Sequence, residues 1–216
     1  MRLPFADRAE AGRALAERLA PLGLEGAVVL ALPRGGVPVG HEVARRLGAR
    51  LDVLVTRKIG YPPQPELGVG AVAEGGDPVF DGGLLRRLGL TEDDLAATVA
   101  SERAELDRRV RAYRGDRPLS GTASRPVVVV DDGLATGGTA RAALRAVRGH
   151  GPTRLVLAVP VGAAETVRDM SGEADDVVVL AAPSSFRAVG QWYHDFDQLT
   201  DADVVAWLDR AGGGRP

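Results

Sequence analysis

The stretch of this 216-residue sequence best suited to bind a charged ligand runs from Val127 to Thr139. A run of four valines, residues 127–130, ends in two carboxylates, Asp131 and Asp132. Small and hydroxyl residues dominate the adjoining segment: Gly133, Ala135, Thr136, Gly137, Gly138 and Thr139. The glycines permit close approach to the backbone, so the N–H groups of residues 135–139 can point at an anion, and the threonines add hydroxyl donors. The pattern predicts a phosphate-binding loop that opens a helix.

The two acids refine this prediction to a phosphorylated sugar. Asp131 and Asp132 would repel a phosphate inside the loop, so we place them where they accept hydrogen bonds from neighbouring sugar hydroxyls. A glycine loop or an Asp-Asp-Gly turn is a weak signal by itself. A P-loop would have Gly-Lys before the hydroxyl residue, and a dinucleotide-binding fold would carry its glycines after the first strand without an acid pair. Neither of these classes fits the whole stretch.

The strands and helices that must position this loop are predicted to form an α/β fold. Five apolar runs are typical of strands buried on both faces: Val28–Leu32, Leu51–Val55, Val127–Val130, Leu155–Val161 and Val177–Ala181. Predicted helices separate them, including one that Asp7 and Glu10 would cap, one from Pro38 to Leu47, a long charged one from Thr91 to Tyr113 and one ending near Arg148. We therefore predict a doubly wound parallel sheet, in which ligands bind at the carboxyl ends of the strands.

The domain organisation predicted is a single domain over residues 1–216, with a core of about 26–183 and a small C-terminal hood of about 184–212. The Pro- and Gly-rich stretch from Gly60 to Gly70 has no periodic pattern, so we expect a flexible loop there. His41 and His150 are predicted to be surface residues without a role.

Composition excludes several functional classes. The 27 basic and 29 acidic residues give a net charge of -2, so we expect no nucleic-acid partner. The sequence has no cysteine, which excludes thiolate chemistry and sulfur-ligated metals. A charged N-terminus and the lack of a long apolar run predict a cytoplasmic protein without a membrane partner.

The segment after the third strand resembles the binding motif of type I phosphoribosyltransferases: four apolar residues, two acids and a Thr-Gly-x-Thr loop. The resemblance extends from about Val28 to Asp197 and is strongest to bacterial predicted phosphoribosyltransferases of about this length, whose acceptor is not established. It implies that Asp131 and Asp132 hold the ribose hydroxyls of phosphoribosyl pyrophosphate, and that residues Ala135 to Thr139 hold its 5-phosphate.

The pyrophosphate half of that ligand needs cations and N–H donors, which two other strand ends offer. Arg34, Gly35 and Gly36 combine a bidentate phosphate binder with unhindered backbone donors and correspond to the family's pyrophosphate loop, although the glycines alone could simply make a turn. Lys58 is the only lysine in the chain. Chance could explain its place, but Arg57-Lys58 followed by a glycine is similar to the loop of adenine phosphoribosyltransferases that faces pyrophosphate. The stretch from Gly60 to Gly70, with Glu66, would match the family's closing loop, which excludes water.

The base that accepts the ribosyl group is left open by the sequence. Where 6-oxopurine phosphoribosyltransferases have an acid in the loop, this chain has Ala135, which resembles the adenine enzymes instead. Their pyrophosphate loop, however, differs from Pro33-Arg34-Gly35-Gly36.

Four of the nine aromatic residues gather within eleven positions at Phe186, Trp192, Tyr193 and Phe196, close to Asp195. Two interpretations stand side by side: Trp192, Tyr193, Asp195 and Phe196 form a pocket on which a planar base stacks, or the aromatics only anchor a C-terminal helix from Asp201 to Arg210.

The activity predicted is transfer of the phosphoribosyl group to a nitrogen of a nucleobase or similar heterocycle, as in purine salvage. Arg34, Lys58 and Glu66 are the candidate catalytic residues, and Glu74 and Asp195 are further candidates for an acid or base. Mg²⁺ is the expected cofactor, bound by Asp131 and Asp132 through water. The alternatives are a non-catalytic sensor of phosphoribosyl pyrophosphate and a different nucleotide-sugar or NAD-binding protein. A homodimer is an expectation from the resemblance only.

Overall fold

The computed structural model describes residues 3–119 and 121–213. Its strands are β1 (Val28–Ala31), β2 (Arg50–Val53), β3 (Thr56–Tyr61), β4 (Gln64–Ala73), β5 (Val79–Phe80), β6 (Pro126–Val130), β7 (Arg154–Val161) and β8 (Asp176–Ala181). Its α-helices are α1 (Arg8–Leu19), α2 (Gly36–Leu47), α3 (Gly82–Leu88), α4 (Ala96–Arg114), α5 (Gly138–Arg148), α6 (Ala164–Met170) and α7 (Asp201–Leu208).

A parallel sheet with the strand order β2-β1-β6-β7-β8 forms the centre of the molecule. Successive residues of its strands contribute to different apolar clusters: Val128 packs with Leu15 and Val43 of α1 and α2, whereas Val127 packs with Leu144 of α5. The sheet is therefore covered by helices on both faces, which explains the uninterrupted apolar runs. The predicted α/β, doubly wound parallel sheet is confirmed.

The stretch from Gly60 to Gly70, predicted as an irregular loop, is instead part of a β-hairpin. Strands β3 and β4 pair antiparallel, and the short β5 extends them to a second, three-stranded sheet. Glycine is needed in this stretch because the strands approach each other closely. A Cβ at Gly70 would lie 2.7 Å from the carbonyl oxygen of Val79. Irregular pairing around Gly60 further obscured the strand pattern.

The N-terminal helix begins as predicted. The Asp7 carboxylate accepts the Glu10 N–H at 2.7 Å, and the Glu10 carboxylate accepts the N–H of Ala6 at 2.5 Å. Helix α1 then crosses α2 closely at Gly12, where a Cβ would lie 2.8 Å from the carbonyl oxygen of Val39.

Residues 189–196 pack over the carboxyl end of the sheet, where the Tyr193 hydroxyl donates to the carbonyl oxygen of Asp132 at 2.5 Å. Phe5 and Tyr193 form a β-bridge and share an apolar cluster with Ala11 and Val161. The last α-helix, α7, has Thr200 as its cap and runs to Leu208, and a π-helical segment, Asp209–Gly213, follows it directly, so helical structure covers the predicted range from Asp201 to Arg210. None of the helices in the described ranges is long and apolar enough to cross a membrane.

The crossing of α1 and α2 leads to a prediction about stability. We expect Gly12→Val to lower the free energy of unfolding by about 2 kcal/mol, because the added side chain must push apart two packed helices. Gly172→Val is the matched control, since a Cβ at Gly172 meets no atom within 4 Å. Urea denaturation of both variants measures the difference, and equal stability would contradict the close packing of α1 on α2.

Candidate functional site

The acid pair and the Arg34-Gly35-Gly36 segment lie side by side at the carboxyl ends of β6 and β1. The N–H of Leu32 donates to the carbonyl oxygen of Val130 at 2.8 Å, which holds the two strand ends together. A Cβ at Gly35 would lie 1.9 Å from Oδ2 of Asp132, and one at Gly36 would lie 2.9 Å from the Cα of Asp131. Only glycine fits at these two positions, so the acid pair and this segment share one site.

The segment predicted to bind phosphate turns into a helix, as its glycines suggested. Gly137 adopts a positive φ of 77° and directly precedes α5, and no side chain of the described residues caps that helix. The first turn of α5 therefore presents backbone N–H donors at the positive end of the helix dipole. The rest of the loop is fixed by hydrogen bonds: Thr166 Oγ1 donates to the carbonyl of Ala135 at 2.6 Å, and Ala163 N–H donates to that of Leu134 at 2.8 Å.

The two carboxylates lie in a poorly solvated environment. Asp131 Oδ1 accepts the N–H of Asp132 at 2.8 Å. Burial, together with the charge of Asp132, raises the pKa of Asp131 well above its ordinary value. Burial also raises the pKa of Asp132, against the opposing effect of a hydrogen bond from Arg8. Both groups would gain from a ligand that donates hydrogen bonds or brings positive charge.

Arg8 is a site residue that the sequence interpretation missed. Its Nε donates to Asp132 Oδ2 at 2.9 Å, and its Nη1 donates to the carbonyl oxygen of Asp197 at 3.0 Å. The guanidinium lies 3.9 Å from the ring centroid of Phe196, a cation–π contact. The side chains of Arg8 and Asp132 are 11% and 13% exposed. One sequence signal pointed to Arg8. The helix dipole disfavours a cation in the first turn of a helix, so an arginine at this position suggests a nearby carboxylate that compensates its charge.

Two of the predicted base-pocket aromatics, Tyr193 and Phe196, lie beside Asp132, and the environments of the predicted pocket residues differ. Tyr193 is buried, donates its hydroxyl to the carbonyl of Asp132 at 2.5 Å and stacks on Phe196 at 5.1 Å. Burial raises the pKa of its hydroxyl. Its ring is covered by protein, as the anchoring interpretation expects. Trp192 and Phe196 are half-buried, and Trp192 stacks on Phe186 at 6.2 Å. Asp195 is exposed.

A cavity of about 540 Å³ lies between the β3–β4 hairpin and the start of α5. Lys58, Thr136, Gly138, Thr139 and Arg141 are among the residues that line it. Lys58 is 47% exposed, and its Nζ donates to the carbonyl oxygen of Glu66 at 3.0 Å. Lys58, which the resemblance assigns to pyrophosphate, thus lines one cavity together with Thr136 and Thr139 of the predicted phosphate loop. Glu66 lines the same cavity on the hairpin.

A second cavity, of about 480 Å³, lies against Asp132. Arg8, Arg34, Gly35, Arg109 and Asp132 are among its lining residues. Nη1 of Arg34 donates to the carbonyl oxygen of Leu199 at 2.5 Å, and its Nε lies 3.3 Å from Asp201 Oδ1. The C-terminal region thus holds the side chain of Arg34 in place.

Two other predicted residues are engaged in ion pairs. Arg57 donates to Glu102 of α4 at 2.7 Å, on the opposite side of β3 from Lys58. Glu74 pairs with the buried Arg114, whose Nη1 donates to it at 3.0 Å. These contacts attach the hairpin to α4 and place both side chains away from the cavity that Lys58 lines.

The two histidines predicted to be surface residues differ in exposure. The ring of His41 is half-buried, 5.0 Å from that of Trp207, and burial lowers its pKa. His150 is exposed as predicted, with Nδ1 3.0 Å from the hydroxyl of Thr122.

The structure combines a doubly wound sheet, a glycine segment beside an acid pair and a small antiparallel sheet. This combination defines the type I phosphoribosyltransferase class of fold. The sequence pattern of the Phosphoribosyl transferase domain matches residues 7–197. The chain belongs to this family.

Relatives agree with this assignment. Two Mycobacterium tuberculosis proteins named "Putative phosphoribosyl transferase" are each 49% identical over 207 residues, which is 96% of this chain and 47% of theirs. The chain thus spans about half of the length of these relatives. The crystal structure of TT1426 from Thermus thermophilus is 50% identical, with a TM-score of 0.81 over 96% of this chain and 98% of that one. AQ2163 from Aquifex aeolicus, at 14% identity and a TM-score of 0.51 over 80% of this chain and 73% of its own, shares the fold.

The raised pKa of Asp131 predicts a pH-dependent cost to stability. The folded protein must deprotonate this poorly solvated carboxyl at a higher pH than the unfolded chain does, so stability is lost as pH rises from about 4 through the raised pKa. Asp131→Asn removes this cost and keeps an oxygen for the N–H of Asp132. We expect Asp131→Asn to be more stable than the parent protein, with a larger gain at pH 8 than at pH 5.

Urea denaturation at both pH values measures this gain. Asp169→Asn, at an exposed position, is the control for removing one negative charge. A gain that is the same at pH 5 and pH 8 would show that Asp131 is not held in an environment that disfavours its charge.

Proposed function

We propose that this protein transfers the 5-phosphoribosyl group of phosphoribosyl pyrophosphate to a nitrogen of a heterocyclic acceptor, releasing pyrophosphate. The observation that carries the proposal is the position of the acid pair, which lies between an uncapped helix start and the Arg34-Gly35-Gly36 segment. A ribose with an anionic group at each end matches this order of binding groups. The names of the Mycobacterium relatives support the same activity.

Each part of the ligand finds complementary chemistry. The 5-phosphate would accept N–H donors from residues 135–139 and hydroxyl donors from Thr136 and Thr139. The ribose hydroxyls would donate to Asp131 and Asp132, whose buried carboxylates gain from donors. The pyrophosphate would lie against Gly35 and Gly36, with Arg34 as a charged donor.

The residues present fit Mg²⁺ as a cofactor. Two adjacent carboxylates with no third carboxylate or histidine grouped with them, as far as the chain is described, suit an ion that takes its other ligands from substrate and water. Asp131 and Asp132 would hold the ion through water. When bound, Mg²⁺ would neutralise part of the charge of the pyrophosphate.

The reaction breaks the bond between the anomeric carbon and a pyrophosphate oxygen, which takes the electron pair, and forms a bond from that carbon to the acceptor nitrogen. Arg34 stabilises the negative charge that develops on the leaving group, and its anchoring by Leu199 and Asp201 means that it need not reorganise as the charge develops. The acceptor would approach from the side of the half-buried Trp192 and Phe196. Glu66 and Asp195 are the candidates to take the proton of the acceptor nitrogen.

The proposal is tested by measuring pyrophosphate release from phosphoribosyl pyrophosphate and Mg²⁺ over a panel of purines, pyrimidines and related heterocycles. We expect release with at least one acceptor and none without acceptor. Tight binding of phosphoribosyl pyrophosphate with no release across the panel would point to a sensor. Failure to bind phosphoribosyl pyrophosphate at all would refute both functions.

The acid pair gives a second prediction. Asp132→Asn should weaken binding of phosphoribosyl pyrophosphate by about ten-fold or more, because a hydrogen bond to a charged acceptor contributes about 1.5–3 kcal/mol. Isothermal titration calorimetry measures the dissociation constant, with exposed Asp169→Asn as the control. An unchanged constant would remove Asp132 from the ribose site.

A further inference from the structure

The cavity against Asp132 is where the acceptor of the proposed reaction would enter. Phe196, on the side from which the acceptor would approach, lines it, and so does Asp132, which would hold a ribose hydroxyl. Arg34 and Gly35, which would face the pyrophosphate, line it as well. Its volume of about 480 Å³ leaves room for a planar heterocycle next to the sugar. The residues that line this cavity therefore decide which acceptors fit.

Stacking on an aromatic ring has a small part in this cavity. The ring of Phe196 already contacts two other groups, since the guanidinium of Arg8 lies 3.9 Å from its centroid and Tyr193 stacks on it at 5.1 Å. Gln198 and Leu199 are the other C-terminal residues of the lining. Recognition of an acceptor here therefore depends on the charged side chains more than on stacking.

Three guanidinium groups from separate parts of the chain line the cavity: Arg8 from α1, Arg34 from the segment after β1 and Arg109 from α4. Asp132 is the only carboxylate among the lining residues of the described chain, and Nε of Arg8 donates to it at 2.9 Å. Nη1 of Arg34 donates to the carbonyl oxygen of Leu199 at 2.5 Å. Groups of the protein thus already engage Arg8 and Arg34 in part.

Arg109 differs from these two because its terminal nitrogens are unused. Its Nε donates to Glu105 Oε1 at 2.8 Å, one turn earlier on α4, and the side chain is only 15% exposed. Neither terminal nitrogen of Arg109 has a hydrogen-bond partner among the residues that the structure describes. A guanidinium that is mostly withdrawn from water, with both terminal nitrogens unused, is placed to bind an anion bidentately.

The ion pairs behind Arg109 leave positive charge in excess. Glu105 also accepts from Arg108, at 2.7 and 2.9 Å, and its hydrogen bonds with Arg108 and Arg109 lower its pKa to about 2. Asp201 lies 3.1 Å from Arg108 and 3.3 Å from Arg34. Three guanidiniums therefore share two carboxylates, and one positive charge is left over among these residues. A carboxylate matches this single charge, whereas a phosphate monoester carries more negative charge than that.

We infer that the acceptor is a nitrogen heterocycle that carries a carboxylate, and that the two terminal nitrogens of Arg109 bind this carboxylate. This inference rests on the proposed function and deepens it, because it names the class of acceptor and adds a residue of α4 to the site. Arg109 would select the acceptor and take no part in breaking the bond to pyrophosphate, which the Arg34-Gly35-Gly36 segment would bind.

The test compares acceptors that differ in a carboxylate: orotate with uracil, and nicotinate with nicotinamide. Release of pyrophosphate from phosphoribosyl pyrophosphate in the presence of Mg²⁺ gives kcat/KM for each acceptor. We expect the parent protein to prefer the acid of at least one pair about ten-fold or more, because only the acid forms charge-assisted hydrogen bonds with Arg109.

Variants of Arg109 show whether this residue is the cause of the preference. Arg109→Gln should lower kcat/KM for the acid about ten-fold or more and leave that for its neutral partner unchanged. Arg109→Lys should recover part of the loss, since it keeps the charge but not the planar pair of donors. Arg111→Gln, exposed on the same helix, is the control and should change neither value. Calorimetric titration with inorganic pyrophosphate and Mg²⁺ should give the same dissociation constant for all four proteins, which also shows that the variants are folded.

The outcomes separate this inference from the proposed function. A preference for the acid that Arg109→Gln abolishes supports the inference. If the neutral heterocycles react as well as the acids or better, or if Arg109→Gln weakens binding of inorganic pyrophosphate instead, the inference is wrong and the proposed function stands without it. If no heterocycle of either kind supports release of pyrophosphate, the proposed function fails and the inference fails with it.

Discussion

Two adjacent carboxylates at the end of a buried strand are the constraint around which this protein is arranged. Asp131 and Asp132 follow four fully buried valines, so their backbone position is set by the centre of the sheet. The surroundings withdraw them from water, and a single arginine compensates the second of the pair. Such a pair is unfavourable in the folded protein alone. The pair becomes favourable when a ligand supplies hydrogen-bond donors or positive charge. The carboxylates thus lower the stability of the folded protein alone and favour the binding of such a ligand.

The neighbouring features follow from the space that these carboxylates need. The segment after β1 must pass close to Asp132, and only glycine at position 35 allows it. The backbone of Asp132 is fixed by the Tyr193 hydroxyl, and Tyr193 is in turn packed between Phe5 and Phe196. Residues near both ends of the described chain therefore fix the orientation of an acid in its middle.

The sequence predicted the central sheet and the glycine turn into α5 because local patterns encode both. Apolar runs of four to eight residues mark the buried strands, and positive φ at Gly137 marks the turn into α5. It did not predict the hairpin, because Gly70 serves a close contact with β5 rather than a turn. It could not predict Arg8 or Arg109 as cavity residues, since both depend on how α1 and α4 pack on the sheet. Arginines are abundant in this chain, so their number carried no signal.

The bridge between Phe5 and Tyr193 has a consequence for how order is distributed in the molecule. Two segments that lie far apart in the sequence are thereby connected to the backbone of Asp132, which accepts the Tyr193 hydroxyl. A ligand bound at Asp132 would therefore also stabilise the segments around Phe5 and Tyr193, and by thermodynamic reciprocity disorder in either segment would weaken that binding. These two segments thus act as thermodynamic partners of the acid pair.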